Sequence, residues 1–220
     1  MRKFPALLTL LLAGIAFSQS DSRFLTALQS VPVLPFVQDA SNIVSFADAD
    51  AAFAARRVKV PAAWSDDFNP SLIMSLPPTM PADLIQYLYI GAADYPAELG
   101  FDFFDISHTI EFGQPPEQAF VLFGDFTEER IASAFMARGY VQDGALLCPA
   151  AGCDSGHTVD LANLNPGNPF GGALGRSFPV WATAQGVATS PSLAALNRIV
   201  TAAGTDTLAD LPEVQALDAV

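Results

Sequence analysis

Apolar residues cluster most tightly at 119–123, AFVLF, a run of strand length that Gly124 closes. Asp125 stands where a helix N-cap belongs, and Glu128 follows at the spacing of a capping box. Ile131, Ala134 and Phe135 then recur at helical spacing, and Gly139 falls where a left-handed residue usually ends a helix. Tyr140 and Val141, a turn at Asp143-Gly144 and the run 145–148 return the chain to extended structure. The pattern predicts strand, helix and strand, a layer that cannot bury both of its faces alone.

Before this unit, 22–34 is a short apolar–polar stretch leading to Pro35. Ser45 as N-cap with Asp48 at N3 predicts an alanine-rich helix over 46–57, basic at its C-terminal end. Asp48 and Asp50, two apart on such a helix, do not face each other and read as solvated first-turn acids. Prolines 61, 70, 77, 78 and 81 predict a connecting loop, with one short strand in the apolar run 72–76. A short helix is expected over 83–90. Asp105 then caps a helical turn or two through Phe112, ended by Gly113 and Pro115-Pro116. On that helix His108 and Glu111 lie three apart on one face.

Past the central unit, 158–175 is a long loop of Asn, Gly and Pro, the kind that is often functional. A strand over 176–184, a turn at Gln185-Gly186 and a return over 187–189 follow. Ser190 before Pro191 predicts an N-cap with proline at N1, and the helix ends near Gly204. A last helix starts near Pro212 and runs through 212–220 with no closing glycine. As an incomplete C-terminal helix it suits docking on another copy or on a partner.

These elements predict an α+β fold: an antiparallel or mixed sheet with helices packed on one face. The segments 119–148 and 178–203 hint at a duplicated unit. With 51% hydrophobic residues and 17 Phe among 220, the chain can build a sizeable core. A single domain is expected over 19–220, with a subdivision point near 114–118.

Arg2 and Lys3, the apolar run 6–17 and the small-x-small pattern at Ala16-Phe17-Ser18 make residues 1–18 a secretory signal peptide, cut before Gln19. The run is too short for a comfortable bilayer span, which needs roughly 20 residues. A net charge of −13, with two of the ten cations inside the leader, argues against nucleic acid and anionic membranes as partners. An exported, periplasmic or secreted acidic protein is expected.

Cys148 and Cys153 are the only cysteines, and in an exported chain so close a pair is most simply a disulfide. The rival arrangement takes Cys148, Cys153, Asp154 and His157 as four ligands for a divalent metal. A redox dithiol lacks the C-x-x-C spacing. Asp154, Ser155 and His157 have the residue types of a hydrolytic triad, but as neighbours in one loop they do not align as nucleophile, base and orienter. Asp160, Asn163, Asn165 and Asn168 offer oxygen ligands without the pattern of a true calcium loop. They are the candidate ligand-loop residues.

The stretches FGQPPEQAFVLFGDFTEERIASAFMARGY, SFPVWATAQGVATSPSLAALNRIV and LADLPEVQAL together resemble a family of exported bacterial α+β proteins. In that pattern a Pro-Pro turn precedes a strand, then come G-x-F, an amphipathic helix and a G-Y exit. The resemblance covers about 100–220 and implies ferredoxin-like units and an envelope location, with no activity and no catalytic residues. The resulting expectation is a non-enzymatic exported protein, without cofactor, that binds a protein or small-molecule partner through 149–175. A metal-binding or hydrolytic protein centred on Cys148, Cys153, Asp154 and His157 is the alternative.

Overall fold

Along 119–123 every side chain is apolar because both faces of this strand are covered. Phe120 and Leu122 point into one core with Phe135, Ile131, Leu84 and Leu88. Ala119, Val121 and Phe123 point into another with Leu196, Ile199, Leu28 and Val214. The computed structural model describes residues 23–33, 43–65, 70–86, 88–203 and 205–216. The expected leader, 1–18, and the last four residues of the C-terminal helix lie outside them.

In chain order the elements are α1 (Arg23–Leu28), β1 (Val44–Asp48), α2 (Ala49–Ala55), α3 (Pro70–Ile73), α4 (Ala82–Ile85), α5 (Leu88–Gly91) and α6 (Tyr95–Glu98). There follow β2 (Ile106–Phe112), β3 (Ala119–Gly124), α7 (Glu128–Ala137), β4 (Val141–Asp143) and β5 (Leu146–Cys148). The chain closes with β6 (Val180–Ala182), β7 (Gly186–Thr189), α8 (Leu193–Ala202) and α9 (Pro212–Gln215). The strands form one seven-stranded sheet in the order β1-β2-β3-β7-β6-β5-β4, with every neighbour antiparallel. The fold is α+β, as expected.

The helices lie on both faces rather than one: α2 to α7 serve the first core, and α1, α8 and α9 the second. The suspected duplication finds no matching connectivity. β3 and β4 run on either side of α7 yet stand three strands apart, whereas β6 and β7 are a hairpin followed by α8.

Four local expectations change. Residues 44–48 form a strand and not a first helical turn, because β1 pairs with β2 from Val44↔Phe112 to Asp48↔His108. Asp48 is then the N-cap of α2 and accepts from the Ala51 N–H at 2.8 Å. Residues 106–112 form β2, whose Ile106, His108, Ile110 and Phe112 alternate in burial with Ser107 and Glu111. The capping signal belongs upstream: Asp102 and Asp105 close a capping box around the single turn Phe103–Asp105. Run 72–76 is helix and turn, not strand, with Leu72 and Leu76 entering the first core. The expected 83–90 helix is broken into α4 and α5.

Two caps also move. α7 starts after Thr127, which makes no side-chain cap bond, so Asp125 is not its cap. α8 is capped by Ser192, whose hydroxyl accepts from the Ala195 N–H at 3.3 Å. Ser190 instead donates to the Gln118 carbonyl and so ties the helix entry to the β3 end of the sheet. Gly139 keeps its expected role, ending α7 at φ 86°.

Candidate functional site

The connection from β5 to β6 begins at a disulfide, Cys148–Cys153. Cys148 is fixed by β5 and buried in the second core, and Cys153 opens a single helical turn, Cys153–His157. Gly156 lies so close to Pro191 that an added Cβ would be 2.3 Å from the Pro191 carbonyl oxygen, which seats this turn against the start of α8. Asp154 and His157 are exposed. The Ser155 hydroxyl donates to the Gly152 carbonyl at 2.7 Å, a local turn bond rather than a link to His157. The carboxylate that reaches the two sulfurs is Asp143 on β4, within 4.8 Å of both. Asp154 and His157 are not part of that group, and sulfurs joined to each other are not thiolate ligands.

The following segment bonds its polar groups partly to itself and partly to α6. Asp160 accepts from the Ala162 N–H at 3.1 Å and from Asn163 Nδ2 at 2.7 Å. Asn165 donates to both carboxylate oxygens of Glu98 on α6 at 3.0 Å. Asn168 is buried and accepts from the Phe170 N–H at 3.0 Å. The Asp160 and Asn168 bonds to backbone N–H groups two residues on are Asx-type closures, and the Asn165 bonds tie the loop to α6. All four candidate ligand residues therefore act as loop builders in this structure.

Backbone proximity completes the loop. Gly175, at φ 65°, comes so close to the Asp160 carbonyl that a Cβ would stand 1.8 Å from its oxygen. Phe170 is fully buried and plugs the first core, its ring 5.8 Å from those of Phe120 and Phe135. The apolar side chains left over face solvent: Val159 is 47% exposed, Leu161 69%, Leu164 51% and Leu174 45%. Asp160 N–H donates to the Leu174 carbonyl, and Asn165 N–H to that of Gly172, so the two arms carrying these residues run side by side.

A second polar centre, not foreseen from the sequence, lies at the β1 edge. His108 and Glu111 point to opposite faces of β2, because a strand separates positions three apart. His108 is buried between Phe123, stacked at 4.5 Å with planes 5° apart, and Phe46 at 5.9 Å. Its Nδ1 lies 2.8 Å from Ser107 Oγ, which itself donates to the Phe123 carbonyl at 3.1 Å. With the single hydroxyl hydrogen on the Phe123 carbonyl, Nδ1 carries the imidazole hydrogen and Nε2 presents a lone pair. Among the described residues Nε2 has no hydrogen-bond partner. Burial, with the Arg23 charge adding, lowers the His108 pKa to about 4, while Asp48 pulls the other way.

Nearby, Arg23 of α1 bridges Asp48 at 3.2 Å and Asp50 at 3.0 Å. The two acids meet on one cation because Asp48 ends a strand and Asp50 lies in the first turn of α2. Glu111, on the other face, receives a hydrogen bond from Gln118. Burial raises its pKa, with the Gln118 bond opposing and the Asp83 charge assisting. The signal for this centre was present as the period-two alternation of 106–112, masked by the Asp105 and Gly113 helix punctuation.

Among the described residues no helix is long and apolar enough to cross a membrane. Compared with family models, curated proteins and solved structures, the chain matches none.

Proposed function

We propose that this is an exported, non-enzymatic binding protein that docks a partner protein through its 149–175 loop. One observation carries the proposal: Asp160, Asn163 and Asn168 bond within the loop and Asn165 bonds to Glu98 on α6, while Val159, Leu161, Leu164 and Leu174 are presented to water. A polar loop ordered by collapse would do the reverse. Apolar side chains grouped on a hydrogen-bonded frame are what a protein interface uses, because little order remains to be lost on binding. The Cys148–Cys153 disulfide is compatible with export and fixes where the loop leaves β5.

The test is site-specific photo-crosslinking in producing cells, with the reactive residue at position 161 or 164 and a control at the exposed position 74. Defined adducts are expected from the two loop positions and not from the control. Leu161→Asp with Leu164→Asp, read from a probe at position 174, abolishes them. Equal adducts from all three positions, or none from the loop, would overturn the proposal.

A further inference from the structure

His108 is a buried base whose Nε2 meets no acceptor among the described residues, beneath the short helix α1, which buries Ala27 and Leu28 and bridges Asp48 and Asp50 through Arg23. Among the described residues, several elements surround it. α1 contributes Arg23, and Phe24 packs edge-on against Phe46 at 5.3 Å. β1 contributes Asp48, already engaged by Arg23 and by the Ala51 N–H. α2 contributes Asp50, engaged by the same guanidinium. β3 contributes the Phe123 ring and carbonyl. On the outer side of α1, Asp210 is turned to Thr207, receiving both its N–H and its hydroxyl.

We propose that His108 makes the docking of α1 acid-sensitive: a proton added at Nε2 releases Arg23–Leu28 from the β1–β2 edge. The added N–H would lie among aromatic rings with no acceptor, and its charge would repel the Arg23 guanidinium. Asp48, opposite His108 across the β1–β2 ladder, would share its charge between two cations and so hold Arg23 less tightly. Moving α1 away relieves both problems, since water then reaches the imidazolium. Release would uncover Phe46 and His108 on the sheet face. Nothing in this depends on the loop proposal.

The sign follows from linkage. With α1 docked, His108 takes its proton near pH 4; with α1 released and water admitted, it takes it at higher pH, toward the ordinary 6.5. Between those limits the released form binds more protons, so docking is fully present above pH 6.5 and fades as pH falls toward 4. Opening is expected to rise roughly tenfold per pH unit across that window.

Hydrogen exchange of the 23–33 segment from pH 7 to 4, set against the His108→Gln chain at each pH, reads this directly. Gln cannot titrate, so the Asp–Arg contacts and intrinsic exchange chemistry cancel. Imidazole NMR resonances report the His108 titration in the same samples. The proposal stands if 23–33 opens with acid in the native chain beyond the Gln variant, and if Arg23→Gln moves the His108 titration upward. Matching exchange profiles in the two chains, or a His108 that titrates at its ordinary value, would overturn it. Should His108→Gln fail to fold, the Arg23→Gln titration decides by itself: no upward movement refutes the proposal.

Discussion

Two long excursions leave this sheet and return to the neighbouring strand, one from β1 to β2 and one from β5 to β6. Both leave some large apolar residues exposed, Val60, Met74, Tyr89 and Ile90 in the first, but they differ in how much they bury. The first, 49–105, sends Phe53, Leu72, Leu76, Met80, Leu84, Leu88, Tyr95, Leu99, Phe101 and Phe103 into the first core. Its short helices are a lid held by burial. The second, 149–179, gives that core Phe170 and Phe178 and presents four large apolar side chains to solvent. It is ordered instead by Asx closures, glycine-to-backbone contacts and a disulfide. The two meet where Gly91 touches Gly167: a Cβ on Gly91 would lie 2.0 Å from the Gly167 Cα. Hydrophobic burial makes a cover; a hydrogen-bonded frame leaves apolar groups free for another molecule.

The most damaging test of that contrast is Phe170→Ala, because this ring is the loop's main anchor in the core. A loss of about 3–5 kcal/mol is expected in urea unfolding, as for other fully buried Phe truncations. A loss below about 1 kcal/mol would mean that polar closures alone hold the loop. Next comes Gly91→Val, which forces the two excursions apart. Overpacking of this kind costs about 1–3 kcal/mol, and 164–167 should become more sensitive to protease. Replacing both Cys148 and Cys153 by Ser removes a short covalent loop, worth about 2 kcal/mol by the chain-entropy estimate. The crosslinks from positions 161 and 164 should survive it, since Phe170 and the Asn bonds remain. Smallest of all, Leu161→Asp with Leu164→Asp should leave stability within about 0.5 kcal/mol while removing partner adducts. A large stability loss there would place these leucines with the lid residues and erase the contrast.

Much of the central unit was legible because its signals are local. The Gly139 ending and the Asp143-Gly144 turn, with Gly144 at φ 59°, each need a backbone conformation that few residues supply. The disulfide was legible from spacing and the expected compartment. Residues 44–48 and 106–112 were not, since Ser45, Asp105 and Gly113 are good helix punctuation and the competing choice is made by a partner strand. Once β1, β2 and β3 pair, Asp105 ends a turn and Gly113 opens a hairpin, with the Gly113 N–H donating to the Ile43 carbonyl. The His108 centre went unseen for the same reason. Its members come from α1, β1 and β2, and a helical 105–112 would have pointed His108 toward Glu111.

The sequence by itself determined the α+β class, the central strand–helix–strand segment, the place of the long loop and the pairing of its two cysteines. These follow from periodicity, turn chemistry and spacing, all of which act over a few residues. Tertiary structure alone decided that helices cover both faces of the sheet, which strands stand at its edges, and that Asp48, Asp50 and Arg23 converge beside a bare imidazole nitrogen. It also decided that Asn168 is buried and bonds within the loop while Leu161 and Leu164 face outward. Those outcomes depend on contacts between residues tens of positions apart, whose energies appear only when the sheet has formed and have no trace in local pattern.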